Sequence, residues 1–324
     1  MRLGQNPAKS VNFVAQPAEI TVAVVVYIPF LGGYYSEGLS VLKLCLGSIW
    51  KNTHIPYDLM VFDNGSCPEV HEYLTLCHQK GKIQYLTLSE KNIGKVGAWN
   101  YIFGAAPGKY VAYADSDVFH FPGWLSPQIG VLELLPNAGM VTGMPLLASE
   151  ELSSATVAWA KANSEVTWER GQFITWEDFF RHSGTLGRSE SEIRHYYDQN
   201  PIVRIGVGEK QFYASASHFQ FVSRKETLQK IFPLSADRPM GQVRQLDEAI
   251  NRLGYLRLST PEWYVQHIGN SLPKNQAAQE LDKFLQSPQK NSQVNERKSI
   301  WDLKILQKIL RWIYDRIFEI LYKN

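Results

Sequence analysis

The sequence predicts an α/β protein built on a mostly parallel central sheet flanked by helices. Between residues 20 and 118, stretches rich in β-branched residues alternate with stretches whose apolar residues recur at helical spacing. Such alternation produces parallel strands joined by right-handed helical crossovers. Two of the strands end in acidic turns, at the sheet edge where open α/β proteins bind ligands. With 324 residues, 44% of them hydrophobic, the chain can bury a substantial core in one large domain or two small ones.

Each element has its own signature in the sequence. The apolar run Ile20–Tyr27 predicts the first strand, and the spacing of Leu39, Leu42, Leu46 and Ile49 predicts the first helix, Leu39–Trp50. Further strands are predicted at Asp58–Phe62, Lys82–Leu88, from Lys109 into Asp115, at Ala138–Leu147 and at Phe212–Val222. Further helices are predicted at Pro68–His78, from Asn92 to before Pro107, through Leu228 and Ile231, and over Leu246–Tyr255.

Composition excludes several classes of protein. The formal charge of +2, without a dense basic stripe, gives no reason to expect nucleic acid as a partner. Three cysteines, Cys45, Cys67 and Cys77, form no Cys-x-x-Cys motif and favour a reducing cytosol. Met1–Ser10 lacks the apolar core of a signal peptide, and the longest apolar run, Ile20–Leu31, is too short to cross a bilayer. We therefore expect a cytoplasmic protein, or one peripheral on the inner face of the membrane.

The acidic pair in Asp115-Ser116-Asp117 is the main chemical signal in the chain. Two carboxylates one residue apart, at the end of a central parallel strand, suit a divalent cation that itself holds a diphosphate. The alternative is that they only end the strand and cap the turn at Phe121-Pro122-Gly123-Trp124.

A loop rich in aromatic residues follows the first strand. Pro29-Phe30-Leu31-Gly32-Gly33-Tyr34-Tyr35 can close over a flat base, which predicts nucleotide contacts for Tyr27 and Pro29 at its start. Loop aromatics often simply pack against one another, and that alternative stays open.

Three motifs in order carry a resemblance to a known family. Asp63-Asn64-Gly65-Ser66, then Asn92-x-Gly94 with Ala98 and Asn100, then Asp115-Ser116-Asp117, resembles glycosyltransferase family two over about residues 20–270. The resemblance implies a GT-A fold, in which a Rossmann-like nucleotide-binding half is joined to an acceptor-binding half. It places Asp63 at the base or ribose of a nucleotide donor, with Asn92, Gly94 and Asn100 nearby. Asp115 would face the ribose or the metal, and Asp117 would bind the metal. A turn-forming role for Asp63 and a capping role for Asn92 are the alternatives.

Residues 148–210 interrupt the α/β pattern with aromatic residues, acids and His182. Aromatic faces suit sugar C–H groups and carboxylates suit hydroxyls, so this insertion can serve as a lid or acceptor platform. Trp176, together with His218 farther along the chain, is a candidate acceptor contact. The alternative is a small satellite core.

A second acidic pair opens a later helix, and it also resembles the family. There, the Asp of a Glu-Asp pair removes the acceptor proton; here the order is Asp247-Glu248, so the register is open by one residue. Glu248 can pair with Arg252 one turn on, so Asp247 is the candidate base and Glu248 is the alternative base. The alternative for Asp247 is an acid stabilised by the helix dipole. His267 matches a histidine that the family often brings to the same metal, and imidazole is a suitable ligand for manganese.

The end of the chain divides into two segments. Residues 271–298 are polar and predict a linker or arm, whereas residues 299–324 repeat apolar residues at helical spacing. Because charges recur throughout, this helix would not span a bilayer. We expect it to mediate oligomerisation or docking on a membrane surface.

These observations predict a metal-dependent, inverting glycosyltransferase of the hexosyltransferase type. It would move a sugar from a nucleotide-diphosphate sugar to the hydroxyl of a carbohydrate or glycoconjugate acceptor, in polysaccharide or glycoconjugate synthesis, with manganese or magnesium as cofactor. A sugar-phosphate nucleotidyltransferase is one alternative, although Gly32-Gly33 lacks the basic residue of a phosphate loop. A non-catalytic scaffold of the same fold is the other.

Overall fold

The computed structural model describes residues 6–240 and 242–272. The strands are β1 (Ile20–Val26), β2 (Asp58–Asp63), β3 (Tyr85–Leu88), β4 (Tyr110–Asp115), β5 (Val118–His120), β6 (Ala138–Thr142), β7 (Val166–Gly171), β8 (Ile202–Val207), β9 (Lys210–Tyr213), β10 (Gln220–Arg224), β11 (Leu256–Ser259) and β12 (Val265–His267). The α-helices are α1 (Gly38–Asn52), α2 (Pro68–Gln79), α3 (Lys95–Ala105), α4 (Leu125–Leu134), α5 (Ser154–Ala162), α6 (Trp176–Ser183), α7 (Glu190–Gln199), α8 (Lys225–Gln229) and α9 (Arg244–Arg252). The predicted C-terminal helix, and the predicted linker beyond residue 272, lie outside the described residues.

Ten strands form one central sheet in the order β3-β2-β1-β4-β10-β6-β11-β9-β8-β7. The first four run parallel, β6 and β11 pair in parallel, and only β10, β9 and β7 oppose the common direction. The predicted α/β class and mostly parallel central sheet are therefore confirmed. β12 pairs with β5 in a small separate ladder.

Strand β1 lies at the centre of the packing, and all seven of its residues are buried. Val22, Val24 and Val26 face a core that includes Leu42 and Leu46 of α1. The alternate residues Ala23 and Val25 face a second core that contains Trp99, Ile102 and Phe103 of α3. Full burial of each valine, leucine, isoleucine or phenylalanine side chain in these two cores contributes about 1.5–3 kcal/mol. Both cores therefore hold the carboxyl end of β1 in a fixed position.

Three predicted strands differ from the observed ones, and the first of them, Lys82–Leu88, is a strand only from Tyr85. Ala138–Leu147 is a strand only to Thr142. The predicted strand Phe212–Val222 is wrong, because β9 ends at Tyr213 and β10 begins at Gln220. Between them the backbone turns, with Ser215 N donating to Tyr213 O, and this connection carries His218. Among the described residues, no helix is both long and apolar enough to cross a bilayer.

Candidate functional site

A cavity of about 560 Å³ opens at the carboxyl ends of β1 and β4. This is the edge at which parallel α/β sheets hold ligands. The residues around it come from six segments of the chain, namely Val25, Tyr27, Ile28, Tyr34, Tyr35, Gly38, Val41, Asn64, Asn92, Lys95, Asp115, Ser116, Asp117, Pro239, Met240, Gly269 and Asn270. Four residues predicted to contact a nucleotide or metal, Tyr27, Asn92, Asp115 and Asp117, thus lie in one cavity. We call it the first cavity.

Asp115, the last residue of β4, has both carboxylate oxygens engaged. Lys95 Nζ lies 2.6 Å from Oδ2, and the Tyr113 hydroxyl donates to Oδ1 at 2.5 Å. Lys95 is the first residue of α3, where the helix dipole disfavours a cation. Lys95 was not predicted as a site residue. Its unfavourable position at the start of a helix is the signal that could have pointed to a functional role. Asp115 is therefore less available to a metal ion than predicted.

Asp117 pairs with His267, because β12 lies antiparallel to β5 with His267 opposite Val118, the residue after Asp117. His267 Nε2 lies 3.2 Å from Asp117 Oδ2, and its Nδ1 lies 2.7 Å from the Thr185 hydroxyl. Burial alone would lower the pKa of His267, but Asp117 more than offsets this and the pKa is raised. For Asp117 the effects are reversed: burial would raise the pKa of its carboxyl group, but His267 and Lys95 bring that pKa below its usual value.

The second oxygen of Asp117, Oδ1, is not used in the pair with His267. Asp117 Oδ1 is buried and accepts no hydrogen bond from any residue of the described chain. A carboxylate with a free buried oxygen, beside an imidazole, matches the ligands that manganese accepts. Within the same residues no cluster of three or more His, Cys, Asp or Glu side chains is assembled. Asp117 and His267 are therefore two residues of the described chain that could hold a cation.

Asn92 and Asp63, both predicted to lie near the nucleotide, differ in whether they reach the first cavity. Asn92 lines the first cavity, and its side-chain oxygen accepts from Asn64 Nδ2 at 3.0 Å and from Gly94 N at 2.8 Å. Asp63 is fully buried and does not line the cavity; Oδ1 accepts from Ser66 N and Oδ2 lies 2.5 Å from His71 Nε2. The structure places Asp63 in the turn that supports Asn64.

Asn100 and Gly94 hold a loop that borders the first cavity. The Asn100 amide donates to Leu234 O and accepts from Leu234 N, both at 2.8 Å. Gly94 has a φ of +77°, and a Cβ there would lie 2.8 Å from Arg238 O. Pro29 is half-buried and Pro29, Gly94 and Asn100 are all absent from the cavity wall. Asn100 and Gly94 therefore act on the cavity only through the loop at residues 234–240, of which Pro239 and Met240 line the wall.

The aromatic loop both packs on itself and lines the first cavity. The Tyr35 ring meets those of Tyr27, Phe30 and Tyr34 edge-on, at 6.3, 5.4 and 5.1 Å. Tyr34 remains 69% exposed at the cavity mouth. The two interpretations of this loop are therefore compatible.

A second cavity, of about 250 Å³, lies against α6, α7 and α9 and is lined by His218, Asp247 and Arg257. Asp247 Oδ1 lies 2.6 Å from Arg257 Nη2, and Oδ2 lies 2.7 Å from His218 Nδ1. Arg257 was missed, although an arginine in the middle of the strand Leu256-Arg257-Leu258 signals a charge that must be paired on burial.

Of the two acids on α9, Asp247 faces the interior and Glu248 faces solvent. Glu248 pairs with Arg244, at 2.9 Å, and its side chain is 50% exposed. The predicted ion pair of Glu248 with Arg252 is wrong, because Glu248 pairs instead with Arg244, which lies one turn earlier on the same face of the helix. Asp247 is therefore the acid of this pair that reaches a cavity.

Trp176 does not line either cavity. It stacks on Phe180 at 5.2 Å and contacts Tyr197, under the guanidinium of Arg194. These residues belong to a satellite core, which was one of the two interpretations of residues 148–210. Phe179 and Tyr196 from that core, however, also line the second cavity.

Comparisons with known proteins agree with the motifs. Residues 33–181 match the model of the family described as glycosyl transferase family 2. The chain is 31% identical over 86 residues to an uncharacterized glycosyltransferase of Rickettsia bellii, a match that covers 26% of this chain and 12% of that protein. It is 24% identical over 106 residues to one of Nostoc sp., covering 33% of each chain. The chain thus spans about an eighth of the first of these relatives and a third of the second.

Solved structures align over 76% of this chain. One is GalNAc-T7 with UDP, GalNAc and Mn2+, at 14% identity, a TM-score of 0.47 and 42% coverage of that chain. Another is the mannosyltransferase PcManGT from Pyrobaculum calidifontis in complex with GDP-Man and Mn2+, at 15% identity, a TM-score of 0.44 and 55% coverage.

Proposed function

We propose that the protein is a metal-dependent, inverting glycosyltransferase of the hexosyltransferase type, a proposal supported by the match of residues 33–181 to the model of glycosyl transferase family 2. It transfers a sugar from a nucleotide-diphosphate sugar to an acceptor hydroxyl of a carbohydrate or glycoconjugate. The observation that carries this proposal is Asp117, which lines the first cavity together with Lys95 and the rings of Tyr27, Tyr34 and Tyr35, and which pairs with His267 behind the cavity wall. Such a cavity offers a flat apolar surface, carboxylates and a cation together, which suits a nucleoside diphosphate.

The first cavity is proposed to take the donor. Tyr34 and Tyr35 present ring surface for the base, and the amides of Asn64 and Asn92 can exchange hydrogen bonds with base or ribose. Lys95 lies deeper, next to Asp115, where its ammonium can approach a diphosphate oxygen. Tyr27 lines the same wall, while Asp63 and Asn100 act through the turn and the loop that they hold.

Asp117 and His267 would hold the divalent cation, manganese or magnesium. The cation would stabilise the negative charge that develops on the leaving diphosphate. For His267 to bind it, the Nε2 that now faces Asp117 must give up its proton, so cation binding and the present pair are alternatives at that nitrogen.

The second cavity is proposed to take the acceptor. Asp247 and His218 lie in its wall, so that an acceptor hydroxyl can be deprotonated there. A single displacement at the anomeric carbon, from the face opposite the diphosphate, inverts that centre. Self-association or membrane docking by residues 299–324, and a cytoplasmic location, stay predictions.

Calorimetric titration of a panel of nucleoside diphosphates, with and without Mn²⁺, tests the donor site. We expect one base to bind in a Mn²⁺-dependent manner, and expect Asp117→Asn to remove the Mn²⁺ dependence. Asp198→Asn is the matched control, because Asp198 is an exposed acid paired with Arg194 on α7. Absence of nucleotide binding in the wild type would favour the scaffold alternative, and release of pyrophosphate from a nucleoside triphosphate would favour the nucleotidyltransferase.

A further inference from the structure

We propose that His218, and not Asp247, takes the proton from the acceptor, and that Asp247 positions the His218 ring. This inference rests on the proposed function, and it changes the role of the acid that the sequence suggested. It follows from how the two side chains and Arg257 divide the hydrogen bonds at the wall of the second cavity.

Asp247 is poorly placed to remove a proton. Each of its carboxylate oxygens already accepts a hydrogen bond, one from Arg257 and one from His218, and its side chain is only 4% exposed. Burial would raise the pKa of Asp247, but the Arg257 guanidinium and His218 outweigh it and leave the pKa below its usual range. A buried carboxylate with a lowered pKa is a weak base.

His218 has the properties that Asp247 lacks. Its side chain is 29% exposed and lines the cavity. A carboxylate only accepts hydrogen bonds, so Nδ1 must carry the proton that Asp247 receives, and the neutral ring then has its lone pair on Nε2. No hydrogen bond from Nε2 to another part of the described chain is present. Histidine, oriented through Nδ1 by a carboxylate, is the side chain most often used as a general base.

The three residues are rigidly held. Arg257 is fully buried and also donates to the backbone oxygens of Leu152 and Ala216. The His218 ring meets the Trp99 ring edge-on, with centroids 6.2 Å apart. The ring therefore has contacts that fix its plane as well as its tautomer.

His218 also lies next to the end of β4 that carries Asp115. Asp115 N donates to Phe219 O at 2.8 Å, so the residue after His218 is bonded to the first acid of the Asp115-Ser116-Asp117 motif. On the other side, His182 lines the second cavity and its ring lies 5.9 Å from that of His267. An acceptor in the second cavity would thus approach a donor in the first from the His218 side.

In the proposed step, the acceptor O–H proton moves to His218 Nε2, and the electron pair on the acceptor oxygen forms the new bond to the anomeric carbon. The bond from that carbon to the diphosphate oxygen breaks, and its electron pair leaves with the nucleoside diphosphate. The imidazolium that results is balanced by Asp247 until the proton passes to solvent.

The test needs no identified acceptor, because water can serve as one. Nucleoside diphosphate release from UDP-glucose and from GDP-mannose is measured with Mn²⁺ for the wild type and for His218→Ala, His218→Gln and Asp247→Asn. His54→Ala is the matched control, because His54 is an exposed histidine between α1 and β2. Calorimetric binding of the nucleoside diphosphate is measured for every variant, which shows whether each one is folded and holds a donor.

We expect both His218 variants to release diphosphate about 10²–10⁴-fold more slowly than the wild type, with nucleotide affinity unchanged. Millimolar imidazole should restore part of the rate in His218→Ala, where it can occupy the vacated space, but not in Asp247→Asn, which retains the misoriented ring. His54→Ala should match the wild type.

Three results would overturn the assignment. One is a His218→Ala rate close to that of the wild type while Asp247→Asn is inactive, which would return the base to Asp247. Another is a wild type that binds nucleotide but releases diphosphate no faster than His218→Ala. A wild type that binds no nucleotide at all would instead contradict the proposed function, and this inference with it.

Discussion

Lys95 Nζ lies 2.6 Å from Asp115 Oδ2 and 5.3 Å from the centre of the Trp99 ring. This contact joins the first residue of α3 to the last residue of β4, so a lysine ammonium group lies beside the first acid of the Asp115-Ser116-Asp117 motif. The two acids therefore differ, because Asp115 is paired with that ammonium group, whereas Asp117 has a buried oxygen with no hydrogen-bond partner in the described part of the chain. The two acids should therefore respond differently to mutation.

Lys95→Met should weaken nucleoside diphosphate binding by about tenfold or more, because a charge-assisted hydrogen bond contributes about 1.5–3 kcal/mol. Calorimetric titration with and without Mn²⁺ measures the change. Lys91→Met, at an exposed lysine in the loop before α3, serves as control and should bind normally. Equal affinity in the two variants would show that Lys95 does not reach the diphosphate.

The order of elements from β1 to β4 could be predicted from the sequence because β1, β2 and β4 are apolar runs buried on both faces, and the helices between them carry apolar residues at helical spacing. The division between β9 and β10 could not, because the alternation of alanine and serine over residues 214–217 looks like that of a strand, although Ser215 is as buried as Ala214 and Ala216. An alternating sequence suggests a strand, but a strand forms only where the backbone of a neighbouring strand lies alongside to pair with it.

The candidate site was predictable where one short segment supplies the chemistry. The acids Asp115 and Asp117 follow directly from the strand that carries them. By contrast, the partners of Asp247 come from a loop and a strand, His218 and Arg257, whose meeting depends on tertiary packing. Asn100 shows the same limit, since a motif residue expected near the nucleotide is bonded to the backbone of Leu234.

Gly94→Ala should destabilise the fold more than Gly81→Ala does. Both glycines have positive φ, +77° and +71°, where an L-residue costs about 1–2 kcal/mol. Only at Gly94 would the new Cβ also meet a backbone oxygen, that of Arg238, which adds about 1–3 kcal/mol by overpacking. Urea unfolding measures both, and nucleotide affinity should fall with Gly94→Ala alone. Equal losses of stability would mean that the loop at residues 234–240 moves aside at no cost.

Arg257→Leu should lower the free energy of unfolding by about 3–5 kcal/mol, because it leaves the Asp247 carboxylate buried without its main partner. Adding Asp247→Asn to this variant should recover part of the loss by removing the uncompensated charge. Arg170→Leu is the matched control, since Arg170 pairs with Glu150 at the surface and such pairs contribute about 0–1 kcal/mol. A loss in Arg257→Leu no larger than in the control would show that water reaches Asp247.

His120 should make stability depend on pH below neutrality. The ring is fully buried, with Nδ1 3.1 Å from the Ser48 hydroxyl and Nε2 without a partner among the described residues. Burial lowers the pKa of His120 to about 3, whereas an unfolded histidine has a pKa of about 6.5. Between these values the unfolded chain binds a proton that the folded protein does not, so stability rises with pH across this window and falls as the pH is lowered.

For this one group, we expect the free energy of unfolding to change by about 1.4 kcal/mol per pH unit within that window. Urea unfolding of the wild type and of His120→Gln, from about pH 7 to about pH 5, isolates it, because groups common to both proteins cancel in the difference. We expect the wild-type curve to fall more steeply than that of the variant once the pH drops below about 6.5. Parallel curves for the two proteins would mean that the folded state accepts the proton, and hence that water reaches the ring.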